Sequence, residues 1–256
     1  MCLITFSIQR DAEYPFVLIQ NREEGYSRPS QGLHQWPDDP HIYAGRDQRK
    51  GGTWLGFSES ARFATLLNHP FTHFKAQNDS RSRGEIPLNY LKDESLSSGR
   101  YLEKLIQTRS SYDGYHALFG TIDKLTLYSN AIDQAVVFSS GLHSVSNTLD
   151  DLSSFRKERA SVLLKDYLSQ GPPHVDNLIT LFRDQEKPQK MENYPNELTR
   201  EEAINHASVF IAGDSFGTVS TTAIMVNQSG LTQMKEVRYL AQGEKDEINS
   251  VEFQTQ

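Results

Sequence analysis

Strand-length apolar runs stand at both ends of this chain, with helical text between them, and no regular strand-helix-strand alternation links them. Leu3 to Ile8, Phe16 to Gln20, His41 to Ala44, Thr53 to Phe57 and Arg62 to Leu67 are each bounded by Gly, Pro, Asp or Asn, the residues that end strands in turns. Tyr115 to Phe119, Leu125 to Tyr128 and Ala135 to Phe138 repeat the pattern, and Val209 to Ile211, Thr218 to Val226 and Leu231 to Val237 close it. Helical spacing is confined to Ile86 to Leu91, the segment from Ser97 or Ser98 through Ile106, Asp151 to Leu168, and Val175 to Phe182. This distribution predicts an α+β layered protein, not a doubly wound one. Periodicity alone does not separate a four-layer αββα sandwich of two antiparallel sheets from other α+β arrangements.

At 256 residues the chain can bury about 70 to 75% of its unfolded surface in a single domain spanning 1–256. The tail from Gln242, residues 242–256, reads as frayed. Lys and Arg number 26 against 33 Asp and Glu, a net charge of -7 that lacks the basic footprint of a nucleic-acid binder. No apolar run approaches the roughly 18 residues of a membrane span, and Met1-Cys2-Leu3 starts without a basic n-region, so a soluble, cytoplasmic protein is expected.

Cys2 is the single cysteine, which excludes an internal disulfide. Removal of Met1 leaves one residue with both a free α-amine and a thiol, the pairing that lets an N-terminal nucleophile be activated without a separate histidine. A thiol near pKa ~8.5 and an α-amine near ~7.8 exchange a proton at a cost of about 1 kcal/mol. A lone cysteine also serves as a small buried hydrophobe, so position alone does not decide its role.

Other motifs divide into decoys and candidates. Gly213-Asp214-Ser215-Phe216-Gly217 fits the G-x-S-x-G pattern of a nucleophile elbow, but the β-branched run after it reads as a strand where an elbow needs a helix. His69 and His73 have metal-ligand spacing, yet Pro70 disturbs the helix this requires, so no metal is expected. Gly51-Gly52-Thr53-Trp54-Leu55-Gly56 lacks the Lys-Ser/Thr of a phosphate loop and reads as a tight turn that brings backbone close to a ligand or neighbour. Asn21-Arg22-Glu23-Glu24 opens a polar loop ending at Arg28-Pro29, and adjacent strands could carry Arg22 to the Cys2 thiol, where a cation favours the thiolate. Asn147, in a loop after a strand, offers a neutral amide for an oxyanion, or a turn asparagine.

Taken in order, Met1-Cys2, Asn21-Arg22-Glu23-Glu24 with Tyr26-Ser27-Arg28-Pro29, Gly51 to Gly56, Ser82-Arg83-Gly84 and Gly141 to Asn147 resemble the NRDE family, also called the transport and Golgi organisation 2 family. The resemblance spans nearly the whole chain. It implies an N-terminal nucleophile hydrolase-like fold of two stacked antiparallel sheets between helix layers, and links to intracellular haem trafficking and to metabolic and membrane homeostasis. Two positions depart from the family pattern. Glu23 stands where the tetrad usually has Asp, and Val219 stands where Tyr-Gly-Thr-Arg would place an arginine.

Two functions follow as expectations. In the first, the protein is a cysteine amidohydrolase of a small-molecule, non-peptide C-N bond that needs no cofactor. Cys2 is its nucleophile, Arg22 holds thiolate and substrate, and Asn147 with a backbone N-H stabilises the oxyanion; Asn21, Glu23, Glu24, Arg28 and Trp54 complete the binding site. In the second, the same cleft carries haem without catalysis, lined by Trp36, Tyr43, Trp54, Phe57 and nearby histidines.

Overall fold

Alternating burial along the extended segments builds the architecture. The computed structural model describes residues 2–70, 72–147 and 151–255, with nothing said of the side chains of 151–153. One antiparallel sheet runs β10 (Gly141–Ser146), β1 (Cys2–Ile8), β2 (Phe16–Gly25), β11 (Phe216–Val226), β12 (Leu231–Tyr239) and β13 (Lys245–Gln254). The other runs β3 (Ser30–Trp36), β4 (Asp39–Asp47), β5 (Leu55–Ser58), β6 (Arg62–Asn68), β7 (Tyr115–Thr121), β8 (Lys124–Ser129) and β9 (Gln134–Phe138). Helices α1 (Glu85–Lys92) and α2 (Ser98–Gln107) cover the outer face of the second sheet, while α3 (Asp151–Leu168) and α4 (Val175–Leu181) cover the first. A short α5 (Arg200–Asn205) opens with a capping box between Thr199 and Glu202.

Three apolar layers result. Ile4, Phe6, Phe16, Leu18, Phe57, Phe63 and Leu118 fill the space between the sheets. Fully burying each such side chain contributes about 1.5 to 3 kcal/mol. Tyr90, Tyr101, Tyr115 and Phe119 pack under α1 and α2, and Val17, Ile19, Leu164, Ile179 and Ala223 under α3 and α4. The expected four-layer sandwich of two antiparallel sheets is therefore the fold observed.

Several expectations change. Residues from 245 do not fray: β13 pairs with β12 along its length, and Phe253 stacks on Tyr43 with ring centroids 3.8 Å apart. Its charged text reflects an edge strand with one solvated face, not disorder. Val209 to Ile211 is buried but is no strand; its carbonyls and N-H groups bond to side chains and to Thr218 instead. Gly141 to Ser146 is strand β10, and Asn147 follows it directly, as expected. Gly213 to Ser215 is the turn into β11, and Phe216 and Gly217 already belong to the strand. The largest difference concerns β2. Strand structure continues past Gln20 through Asn21-Arg22-Glu23-Glu24 to Gly25, because β1 and β11 supply ladder partners on both sides of a segment whose polarity reads as loop.

Candidate functional site

Successive residues of a strand point to opposite faces, and β2 uses this to split its polar end in two. Val17, Ile19, Asn21 and Glu23 face the α3/α4 layer, whereas Phe16, Leu18, Arg22 and Glu24 face inward. On the outer side, the Asn21 amide donates to the carbonyls of Phe182 (3.0 Å) and Val209 (2.8 Å) and accepts from Thr221 Oγ1 (2.7 Å). Glu23 Oε1 accepts from Arg156 Nη2 at 2.7 Å, with both side chains fully buried. Burial pushes the Glu23 carboxyl up, and the Arg156 guanidinium opposes this. Asn21 thus ties β2 to the helix layer, and the Glu23 carboxylate, expected in the binding site, is held against α3 by Arg156.

On the inner side a cavity of about 310 Å³ opens at the ends of β1, β2 and β6. Cys2 lies on its wall, directly opposite Arg22 in the β1/β2 register. Burial pushes the thiol up, while the Glu23 backbone N-H and Arg22 pull it down. Arg22 is almost fully buried and makes no hydrogen bond or ion pair among the described residues; its guanidinium sits 4.1 Å from the centre of the Trp54 ring. Desolvation lowers its pKa, and Glu24 counters this, so Glu24 is the carboxylate that supports Arg22. Arg28, also on the wall, donates Nε-H to Asp47 Oδ2 at 2.6 Å.

Main-chain contacts set the mouth. Gly51 turns with φ +73, and a Cβ at Gly52 would lie 2.5 Å from the Gly84 carbonyl. Only glycine permits that approach, which lets Thr53 N-H donate to Gly84 O (3.0 Å) and locks the Gly51 to Gly56 turn onto Ser82-Arg83-Gly84. Arg83 is thereby brought to the cavity, its Nη1 donating to Gly114 O at 2.9 Å. A Cβ at Gly45 would strike the Trp54 ring at 2.3 Å, so that glycine seats the tryptophan.

Asn147 meets Cys2 from the other side. Its Oδ1 accepts from the Cys2 backbone N and its Nδ2 donates to Asn68 O. Those two partners fix which end of the amide is oxygen. Its own carbonyl accepts from His116 Nε2 at 3.0 Å. Burial first, and His69 second, push the His116 pKa down to about 4, so the ring is neutral. The amide group of Asn147 is therefore spent on the Cys2 nitrogen and the Asn68 carbonyl. Asn68 lines the cavity, and its side-chain amide makes no hydrogen bond among the described residues.

The aromatic residues expected to cradle haem do not share a cleft. Trp36 lies in the layer beneath α1 and α2, Tyr43 and Phe57 are in the packed core between the sheets, and only Trp54 reaches the cavity. No histidine lines it among the described residues. These residues do not fit a porphyrin. Val219 sits at a β-bulge in β11, between Thr218 opposite Glu23 and Ser220 opposite Arg22, and is not on the cavity wall. The absent arginine would have stood at that bulge.

Comparison with known sequences decides the family. The family description Transport and Golgi organisation 2 matches residues 1–241. The chain belongs to that family. The Transport and Golgi organization protein 2 homolog of Homo sapiens is 27% identical over 259 residues, covering 90% of each chain. The Transport and Golgi organization 2 homolog of Mus musculus is 26% identical over the full length of both. Among solved structures, the mutant C2A conjugated bile acid hydrolase from Clostridium perfringens superposes with a TM-score of 0.56 at 10% identity, covering 99% of this chain and 92% of that one. The Transport and Golgi organisation 2 chain thus has the N-terminal nucleophile hydrolase fold. No helix among its described residues is long and apolar enough to cross a membrane.

Arg83, Asn68 and Arg156 are site residues that sequence reasoning did not single out. The Ser82-Arg83-Gly84 motif carried the signal for Arg83. Arg156 carried none, since it reads as one more charge on α3 and its partner lies 133 residues away.

Proposed function

We propose that this protein is an amidohydrolase of a non-peptide C-N bond, with Cys2 as nucleophile once Met1 is removed. The observation that carries the reading is that Cys2 and a buried guanidinium with no ion pair among the described residues share one cavity wall, while an asparagine oxygen holds the Cys2 nitrogen from the other side. The likeness to a bile acid hydrolase whose mutant replaces a residue-2 cysteine with alanine is consistent with it.

In mature protein the Cys2 nitrogen is an amine held by Asn147 Oδ1. It accepts the thiol proton, and Sγ attacks the amide carbonyl to form a tetrahedral oxyanion. Arg22 stabilises the thiolate and is the nearest cation to the developing charge; Asn68 is the uncommitted amide donor on the wall. The amine passes its proton to the departing nitrogen, leaving a thioester. Water then attacks, giving its proton to the same amine, and the carboxylic acid leaves as the thiol is restored.

Intact mass of protein purified from its natural host should show Met1 absent. Cys2→Ala should keep the fold by circular dichroism and abolish turnover in an amide library, and Asn68→Ala should lower kcat by about 10² to 10³. A mature chain that retains Met1 overturns the reading, because the amine then belongs to another residue.

A further inference from the structure

The charge of the Cys2 cavity runs against the charge of the chain. The sequence carries -7 overall, yet the cavity wall presents five cationic side chains, Arg22, Arg28, Lys50, Arg81 and Arg83, against four acidic ones. The acids are largely spoken for. Glu23 is bound by Arg156 in the helix layer, and Asp47 accepts from Arg28 Nε and from the backbone N-H groups of Arg49 and Lys50. Of the cations, Arg28 is paired with Asp47 and Arg81 with Glu85, and the other three make no ion pair among the described residues. Arg22 has no polar partner among the described residues, Lys50 has no ion pair among them, and Arg83 spends one N-H on a backbone carbonyl. Arg28 lies close enough to both Arg22 and Arg83 for its positive charge to lower their pKa values, with burial the larger cause in each. Like charges gathered in a partly desolvated recess are unfavourable without a counter-charge.

We propose that the substrate of this cavity is an anionic amide, whose carboxylate or phosphate oxygens are held by Arg83 and Lys50 at the mouth while its carbonyl reaches Arg22 and Cys2. This rests on the hydrolase reading for the amide, but the anion subsite stands on the wall's own charges. Planar guanidinium groups match such oxyanions with paired N-H donors, which is the recognition that Arg83 offers and a neutral headgroup would leave unused. The fixed contact of Thr53 with Gly84 O keeps Arg83 in place without a ligand, so the subsite is formed in advance.

The first test is independent of turnover. Inorganic phosphate and acetate, with acetamide as the neutral probe, are titrated into the full chain while arginine Nε-H resonances are followed. Saturable shifts at Arg22 and Arg83 with the anions and none with acetamide are expected. Arg83→Gln and the exposed Lys50→Gln should each weaken binding about tenfold or more, and the stronger of the two anions identifies the headgroup. The second test compares turnover of N-acyl-glycines with matched N-acyl-glycinamides, where a ten- to hundredfold preference for the carboxylate is expected in wild type and its loss in Arg83→Gln. Anion binding without hydrolysis of any amide overturns the hydrolase reading and leaves the subsite standing. Hydrolysis with no preference for the anionic member, or no saturable anion shift, overturns the subsite and leaves the hydrolase reading standing.

Discussion

The two faces of β2 at its polar end are built on opposite terms. Toward the helices, Asn21 and Glu23 are closed off: carbonyls of Phe182 and Val209, the Thr221 hydroxyl and the Arg156 guanidinium meet their polar atoms. Toward the cavity, Arg22 is almost as deeply buried, rests on the Trp54 ring and makes no hydrogen bond or ion pair among the described residues. Burying a charge is costly unless it is paired, so the two faces are stabilised on different terms. Four consecutive residues of one motif therefore sit in two kinds of surroundings, and their order along the strand assigns them.

The contrast can be attacked directly. The largest effect is expected on the closed face: Arg156→Leu leaves the Glu23 carboxylate buried without its guanidinium and should cost about 3 to 5 kcal/mol by urea unfolding. The double variant Glu23→Met, Arg156→Met should recover at least half of that loss, since a well-packed apolar pair removes both charges. A single variant as stable as wild type would erase the distinction between the faces.

Next comes acid sensitivity in the support behind Cys2. His116 has its folded pKa depressed to about 4, from an ordinary 6.5, by burial and by His69. Between these values the unfolded chain binds a proton that the folded chain refuses, so stability falls as pH drops through that window and is fully present above it. The shift corresponds to about 3 kcal/mol lost by pH 4. Urea midpoints for wild type should decline between pH 6.5 and 4 beyond what carboxylates contribute, and His116→Gln should flatten that part of the profile.

The smallest stability effect belongs to the cavity face. Arg22→Gln gives up a cation stacked on Trp54, worth about 0.5 to 2 kcal/mol, but also relieves a desolvated charge, so the midpoint should move by less than about 1 kcal/mol. Turnover should nevertheless fall by about a hundredfold or more. A variant that unfolds instead would place Arg22 among the structural residues.

Much of this was legible in the sequence because it is local. Apolar runs at strand spacing gave ten of the β segments their approximate places, Ser97 capped α2 as its position suggests, and the ordered motifs pointed to the right family and fold. What was lost depends on partners distant in the chain. The tetrad reads as a loop until β11, nearly two hundred residues on, supplies its ladder. Asn21 and Arg22 look equally able to bind a ligand until the pleat sends them to opposite sides. Trp36 and Trp54 look like one aromatic lining until Trp36 is found beneath the helices of the other layer. In α3 the apolar Val162 is half exposed, while the charged Arg156 is fully buried.

The backbone contact between Gly52 and Gly84 has a consequence for redesign. Because this part of the rim is joined main chain to main chain, the joint does not depend on which side chains hang from it. Lys50, Arg81 and Arg83 can then be exchanged as a set, for acids or for apolar residues, with that joint unchanged. The same scaffold becomes a socket whose preference for charge is rewritten at its edge, while Cys2 and the residues around it are left alone.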